Sequence, residues 1–181
     1  MAAPLTVALL TRSRRADLVQ AYLDTSACAS LFFVPEAVGF LDFVLRVAAE
    51  VPHLPPVAGF ERALLLARDA GPRPPVPIRR LEPSRHVARH PAAAVVAFEA
   101  DPARLIHALL ADGPLPEPDE MPRFLLVAPG AERFWRCATR SERALFVRCA
   151  REQSVASLVH DDPALLATLT GLVHVRALEI V

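Results

Sequence analysis

Eighteen of the 181 residues are proline, and eleven of these fall in three short stretches, 52–56, 71–77 and 113–122. Proline fixes φ, donates no amide hydrogen and biases the residue before it away from helix, so regular structure does not run through such stretches. The chain is therefore divided into stiffly joined parts. The division expected is an N-terminal three-helix unit over 1–71, a connecting region of short strands and helices over 72–121, and a C-terminal domain over 122–181. At this length there is material for a substantial core, in one domain or in two small ones.

In the first part, residues 13–23 (SRRADLVQAYL) place Ala16, Leu18, Val19, Tyr22 and Leu23 on roughly one helical face, with Ser13 as the N-cap candidate. A polar loop is expected over 24–30. Pro35 then suits a first helical turn, and Glu36 suits the positive end of the helix dipole. The helix expected over 35–51 carries Asp42, Arg46 and Glu50 at i, i+4 and i+8, one narrow charged stripe. The rest of it beyond Glu36 is apolar, so it is either central to its domain or covered on one face by another chain. Residues 57–70 (VAGFERALLLARDA) continue as a third helix that Gly71 and Pro72 end.

The middle region reads as an edge-strand candidate over 76–81, an extended piece or turn over 84–90 and a short helix over 91–100. A better helix follows, capped by Asp101, with Pro102 at its first position and Leu105, Ile106, Leu109 and Leu110 as its apolar face. Residues 123–127 (RFLLV) and 132–138 (ERFWRCA) flank a turn signal at 128–131 and read as a β-hairpin. Thr139 and Glu142 fit a capping box, and the helix behind it carries Leu145, Phe146 and Cys149 on one side. Ser154 caps a short helix to Val159, Asp162 and Pro163 start another that Gly171 closes, and a final strand finishes the chain. The fold class expected is α+β, a helical unit followed by a winged-helix-like, peptide-recognition-type domain with a free hairpin edge.

Several function classes recede on chemistry. Twenty acidic and twenty basic side chains, all the latter arginine, give zero formal charge, so no concentrated positive field is offered to nucleic acid or membrane. The helix in the recognition position (PALLATLT) has no side chain that reads base edges, which weakens the alternative of a DNA-binding regulator. Cys28, Cys137 and Cys149 are widely spaced and odd in number, neither a zinc set nor a disulfide framework. His86 and His90 stand four apart but lack a nearby third ligand. Arg79, Arg80, Arg85 and Arg89 form the densest basic patch. No phosphate loop, nucleophile elbow or metalloprotease motif is present. No secretory signal or span of about 18 apolar residues is found, and a cytoplasmic, non-enzymatic protein is expected.

The order of motifs resembles a known family. After residue 36 it runs through His53-Leu54-Pro55-Pro56, Val57-Ala58-Gly59-Phe60-Glu61-Arg62-Ala63, Leu81-Glu82-Pro83-Ser84-Arg85, Arg123-Phe124-Leu125-Leu126-Val127, the hairpin and a closing leucine-rich helix pair. This is similar to the small partner proteins of multinuclear non-heme iron-dependent oxidases in ribosomal peptide natural-product pathways, in the short MbnC-type form of methanobactin biosynthesis. Glu82 stands where the family often has histidine, and Phe98 near where it has tryptophan. The resemblance implies a subunit that binds no iron itself. It forms a heterodimer with an iron-carrying TIM-barrel oxidase and holds the leader of a cysteine-containing precursor peptide. The cysteines are then oxidised to oxazolone and thioamide pairs of a copper chelator, or are modified otherwise by a related oxidase. The expected peptide contacts are Arg123, Phe124, Leu125, Leu126, Val127, Arg133, Phe134, Trp135 and Arg136. The expected oxidase contacts are Leu54, Phe60, Glu61 and Arg68.

Overall fold

Local capping chemistry explains most of the element boundaries. The structure, a computed structural model, describes residues 3–25, 33–78 and 81–181. Among these the order is α1 (Pro4–Arg12), α2 (Asp17–Thr25), α3 (Val34–Val47), α4 (Leu54–Asp69), β1 (His86–Arg89), β2 (Ala94–Phe98), α5 (Pro102–Leu110), β3 (Arg123–Val127), β4 (Trp135–Ala138), α6 (Arg140–Arg148), β5 (Gln153–Ser154), α7 (Val155–Val159), α8 (Pro163–His174) and β6 (Leu178–Ile180). The fold is mixed α+β, with two small three-stranded antiparallel sheets ordered β5-β1-β6 and β2-β3-β4. The chain divides into two compact units, Met1–Leu65 with Val96–Arg123 and Leu66–Val95 with Phe124–Val181. The cut expected at residue 71 falls inside the second unit, and the region 72–121 is shared between the two.

Among the described residues of 3–70 there are four helices where three were expected. The helix expected from Ser13 starts instead at Asp17, because Ser13 closes α1. Arg14 takes the left-handed conformation (φ 55), the Arg15 amide bonds Leu10 O at 2.8 Å and the Arg14 amide bonds Thr11 O at 3.1 Å, which is a Schellman termination. The α1 start is capped from a distance. Ala3 offers no side-chain cap, and Glu61 of α4 accepts the Leu5 amide at 2.7 Å and the Thr6 amide at 2.8 Å. Burial pushes the Glu61 carboxyl above its ordinary range, against the opposing pull of those amides.

The mostly apolar α3 ends at Val47 and buries Ala37, Phe40, Leu41 and Val44. The expected charged stripe is split, since Glu50 lies past the helix end: Asp42 bonds Arg62 at 2.6 Å and Glu50 bonds Arg15 at 3.0 Å. Tyr22 of α2 packs edge-on to Phe40 at 5.5 Å. A Cβ at Gly39 would lie 2.5 Å from the Tyr22 hydroxyl, so the glycine permits this approach. At the other end of the unit, Arg12 donates to Ala108 O and Gly113 O and pairs with Asp112, which caps the end of α5.

In the second unit the buried cluster joins Val87, Leu126, Leu145, Phe146, Leu158, Leu169, Leu172 and Leu178. Thr139 and Glu142 form the expected capping box at α6, and Ser154 and Asp162 cap α7 and α8. Gly171 does not end α8, which runs on to His174 and closes in a second Schellman turn. There Arg176 is left-handed (φ 56) and the Ala177 amide bonds Leu172 O at 2.9 Å. The final strand shortens accordingly to three residues.

Two further expectations change. Residues 91–100 contain the strand β2 instead of a helix: Val95 and Val96 are β-branched, and a stretch this short owes its state to pairing rather than propensity. Residues 71–78 form no strand, and two of their amides are taken by carbonyls distant in sequence. The Arg73 amide bonds Pro129 O and the Val76 amide bonds His174 O. Residues 26–30 of the expected loop, Cys28 with them, and Arg79 and Arg80 of the basic patch lie outside the described residues.

The cap supplied by Glu61 is testable. Glu61→Ala strands two buried amides, and a loss of roughly 2–4 kcal/mol is expected in urea denaturation. Glu61→Gln, which keeps one acceptor oxygen, should recover part of that loss.

Candidate functional site

The hairpin expected to receive a peptide strand forms, but its second strand starts at Trp135 instead of Glu132, with residues 132–134 in the turn, and it is not free where it was needed. Phe124 pairs with Ala138, Leu125 with Cys137, Leu126 with Arg136 and Val127 with Trp135. β3 is the middle strand of its sheet, and Phe124, Leu125, Leu126 and Val127 are buried. Phe124 carries the Arg143 guanidinium over its ring at 5.0 Å. Arg123 is exposed and is held by Asp101 at 2.7 Å and Asp119 at 2.8 Å.

On β4, Arg136 binds Glu142 through both oxygens and donates to Cys137 O, one of the groups that would otherwise line the outer edge. Burial alone would raise the Glu142 carboxyl, but the Arg136 guanidinium and the Thr139 amide outweigh it and hold it below its ordinary range. Arg133 is exposed, Trp135 is half-buried, and Phe134 is half-buried in a left-handed conformation (φ 63). The nine residues thus share a hairpin without sharing an open face. Of the four expected oxidase contacts, Leu54, Phe60 and Glu61 are buried, and only Arg68 is exposed.

Among the described residues β6 is an edge strand, exposed on its outer side at Ile180. In the β1–β6 pair Val87 lies opposite Ile180, Ala88 opposite Glu179 and Arg89 opposite Leu178. The Val181 amide bonds His86 O, and the His90 amide bonds Ala177 O. Antiparallel bonding alternates along a strand, so Glu179 directs its amide and carbonyl toward β1 while Leu178 and Ile180 direct theirs outward. Among the described residues those groups have no hydrogen-bond partner, but Leu178 is buried at 1% exposure, so only the Ile180 amide and carbonyl lie at the surface. The outward side is bordered by a cavity of 440 Å³ lined by Val76, Val173, Arg176, Leu178, Glu179 and Ile180. Its form follows from bonds that pin the proline-rich segment: Arg176 Nε donates to Pro74 O at 3.0 Å, and the Val76 amide bonds His174 O at 3.0 Å. The loop 128–131 is fixed to the same turn, since a Cβ at Gly130 would stand 2.7 Å from Val175 O.

A second cavity, of 370 Å³, shares Glu179 and adds Leu66, Asp69, Ala70, Arg73, His90 and Ala92. His90 is buried. Its Nδ1 accepts the Ala92 amide at 3.0 Å, which places the ring proton on Nε2, 3.4 Å from Glu179 Oε1. Burial lowers the His90 pKa; Glu179 pulls it up, and Arg73 and Arg176 push it down. His86, four residues earlier, is exposed on β1. Glu179, Arg73 and Arg176 carried no local motif. The signal that leads to them is the pairing of residues 86–89 with 178–180, which spacing alone does not reveal. Among the described residues no three His, Cys, Asp or Glu side chains gather as a metal-ligand set, and no helix is long and apolar enough to cross a membrane.

A histidine whose folded pKa lies below its unfolded value binds its proton more readily when unfolded. The stability due to neutral His90 is therefore full above about pH 6.5 and declines as the pH falls below it. Urea midpoints measured from pH 7.5 to 5 should drop more steeply for the wild type than for His90→Gln. In comparisons with known proteins, no protein-family model and no curated protein matches the chain.

Proposed function

We propose that this chain is a non-catalytic, peptide-holding partner subunit of a TIM-barrel multinuclear iron-dependent oxidase. It binds the leader of a cysteine-containing ribosomal precursor peptide, whose cysteines the oxidase converts, in the methanobactin-type case to oxazolone and thioamide pairs. Iron belongs to the oxidase. On this reading the second unit is a winged-helix-like peptide-recognition scaffold, with α6, α7 and α8 behind its strands.

One observation carries the peptide-holding part: the outer edge of β6, where the exposed Ile180 amide and carbonyl have no partner among the described residues and stand beside a cavity. An extended peptide satisfies such groups by adding a strand, and main-chain bonds supply affinity while flanking pockets supply selectivity. The partner-subunit part rests on the order of motifs from His53 to the closing helices.

Co-expression with an iron oxidase encoded beside this chain should yield a heterodimer in size-exclusion chromatography. The precursor peptide should bind that complex. Ile180→Pro removes an outward amide without touching the β1 ladder, so it should leave the heterodimer intact and weaken peptide binding by roughly tenfold or more, the loss expected for a strand-pairing bond and its register. A monomer that ignores the oxidase, or full peptide affinity in Ile180→Pro, would contradict the proposal.

A further inference from the structure

The zero formal charge of the whole chain hides a division between its two compact units. The first carries twelve acidic side chains and seven arginines, the second eight acidic side chains and thirteen arginines. Within the second, residues 133–151 hold six arginines and one acid, Glu142, with Glu132 and Glu152 at the two borders. Glu142 is buried and committed to Arg136 and to the α6 cap. Asp162, after α7, is committed to the amides that start α8.

The inner side of α6 is Glu142, Leu145 and Phe146, and helical spacing turns Arg143, Ala144, Val147 and Arg148 to solvent, with exposed Arg151 just past its end. The guanidiniums here are positioned without being neutralised. Arg148 donates to Leu158 O at 3.1 Å and to Ser157 O at 2.8 Å. Arg89, on β1, donates to Phe146 O at 2.6 Å and to Val147 O at 2.8 Å, and Arg143 lies over the Phe124 ring at 5.0 Å. Among the described residues no carboxylate pairs with Arg89, Arg143, Arg148 or Arg151. A guanidinium has five N–H donors, so each of these keeps donors for a ligand. Side chains already held in place lose little freedom on binding, and arginine takes a carboxylate through two parallel bonds.

The centre of this face is apolar. Val147 is 52% exposed, and Ala144 beside it is exposed too. A run of phosphates finds no partner there, whereas a peptide can set carboxylates around an apolar side chain. Arginines around an apolar centre also match the make-up of protein–protein surfaces.

We propose that the outer face of α6 docks an acidic peptide segment of a partner protein. Its carboxylates meet Arg143, Arg148 and Arg151, and an apolar side chain covers Val147. This surface goes beyond the reading of β6 as a peptide edge, and either can fail while the other stands.

The probes are a fluorescein-labelled synthetic peptide of glutamates around a central leucine, its glutamine counterpart, and a labelled oligothymidine of equal length. Fluorescence anisotropy is read at low ionic strength with the full-length wild type and three variants, each checked for native circular dichroism. These are Arg143→Glu with Arg151→Glu, Val147→Glu, and Arg46→Glu with Arg104→Glu, which alters net charge equally but in the first unit. The glutamate peptide should bind the wild type roughly tenfold more tightly than the glutamine peptide and lose affinity as salt is added. The α6 double variant should abolish that preference, Val147→Glu should weaken binding several-fold, and the first-unit variant should leave it nearly intact. Equal binding of the two peptides, or an equal effect of the two double variants, overturns the proposal. Tighter binding of the oligothymidine than of the glutamate peptide overturns it in favour of a nucleic-acid surface. If the α6 double variant does not fold, Val147→Glu decides, and unchanged glutamate-peptide affinity there overturns the proposal.

Discussion

The antiparallel pairing of β1 with β6 is the constraint on which the candidate site depends. It opposes Ala88 to Glu179, and that register alone decides which main-chain groups of β6 are consumed and which face outward. A slip by one residue would turn the amides of Leu178 and Ile180 inward and carry Leu178 out of the core. The register is held from both ends. The Schellman turn at Arg176 delivers the chain from α8 into β6, and the His90 amide bonds Ala177 O where β1 ends. Arg176 sits in a conformation that costs a non-glycine residue about 1–2 kcal/mol, offset by the Leu172 and Val173 carbonyls it helps satisfy and by its own bond to Pro74 O.

Prolines shape the site by what they withhold. Between Gly71 and Ile78 only three residues beyond the glycine can donate an amide, and two of those amides, from Arg73 and Val76, meet carbonyls of the loop at Pro129 and of α8 at His174. An extended segment with so few donors can be fully satisfied by a few bonds and can border a strand without joining it. The border of the 440 Å³ cavity is therefore a consequence of composition as much as of topology.

Legibility in the sequence followed the range of the interactions. The starts of α5, α6, α7 and α8 were readable because Asp101, Thr139 with Glu142, Ser154 and Asp162 bond amides two or three residues away. α1 was not, because its cap comes from Glu61 more than fifty positions later. The end of α8 was missed because an arginine, not Gly171, takes the left-handed position. The hairpin was found and its role misjudged: a run such as Leu125, Leu126 and Val127 without alternation marks a strand buried on both faces, which is a poor place for a new strand. His90 was noticed for its spacing from His86, but its working neighbour Glu179 lies on the last strand, beyond the reach of any local pattern.

The central claim is that β6 offers an unpaired edge to a peptide, and amide hydrogen exchange along 178–180 tests it most directly. In the free protein the Glu179 amide should be protected through β1 and that of Leu178 by burial, while that of Ile180 exchanges quickly. Saturation with a strand-forming peptide should slow Ile180 and leave Leu178 and Glu179 nearly unchanged. Equal protection of all three amides in the free protein, or peptide binding that leaves Ile180 unprotected, would contradict the account.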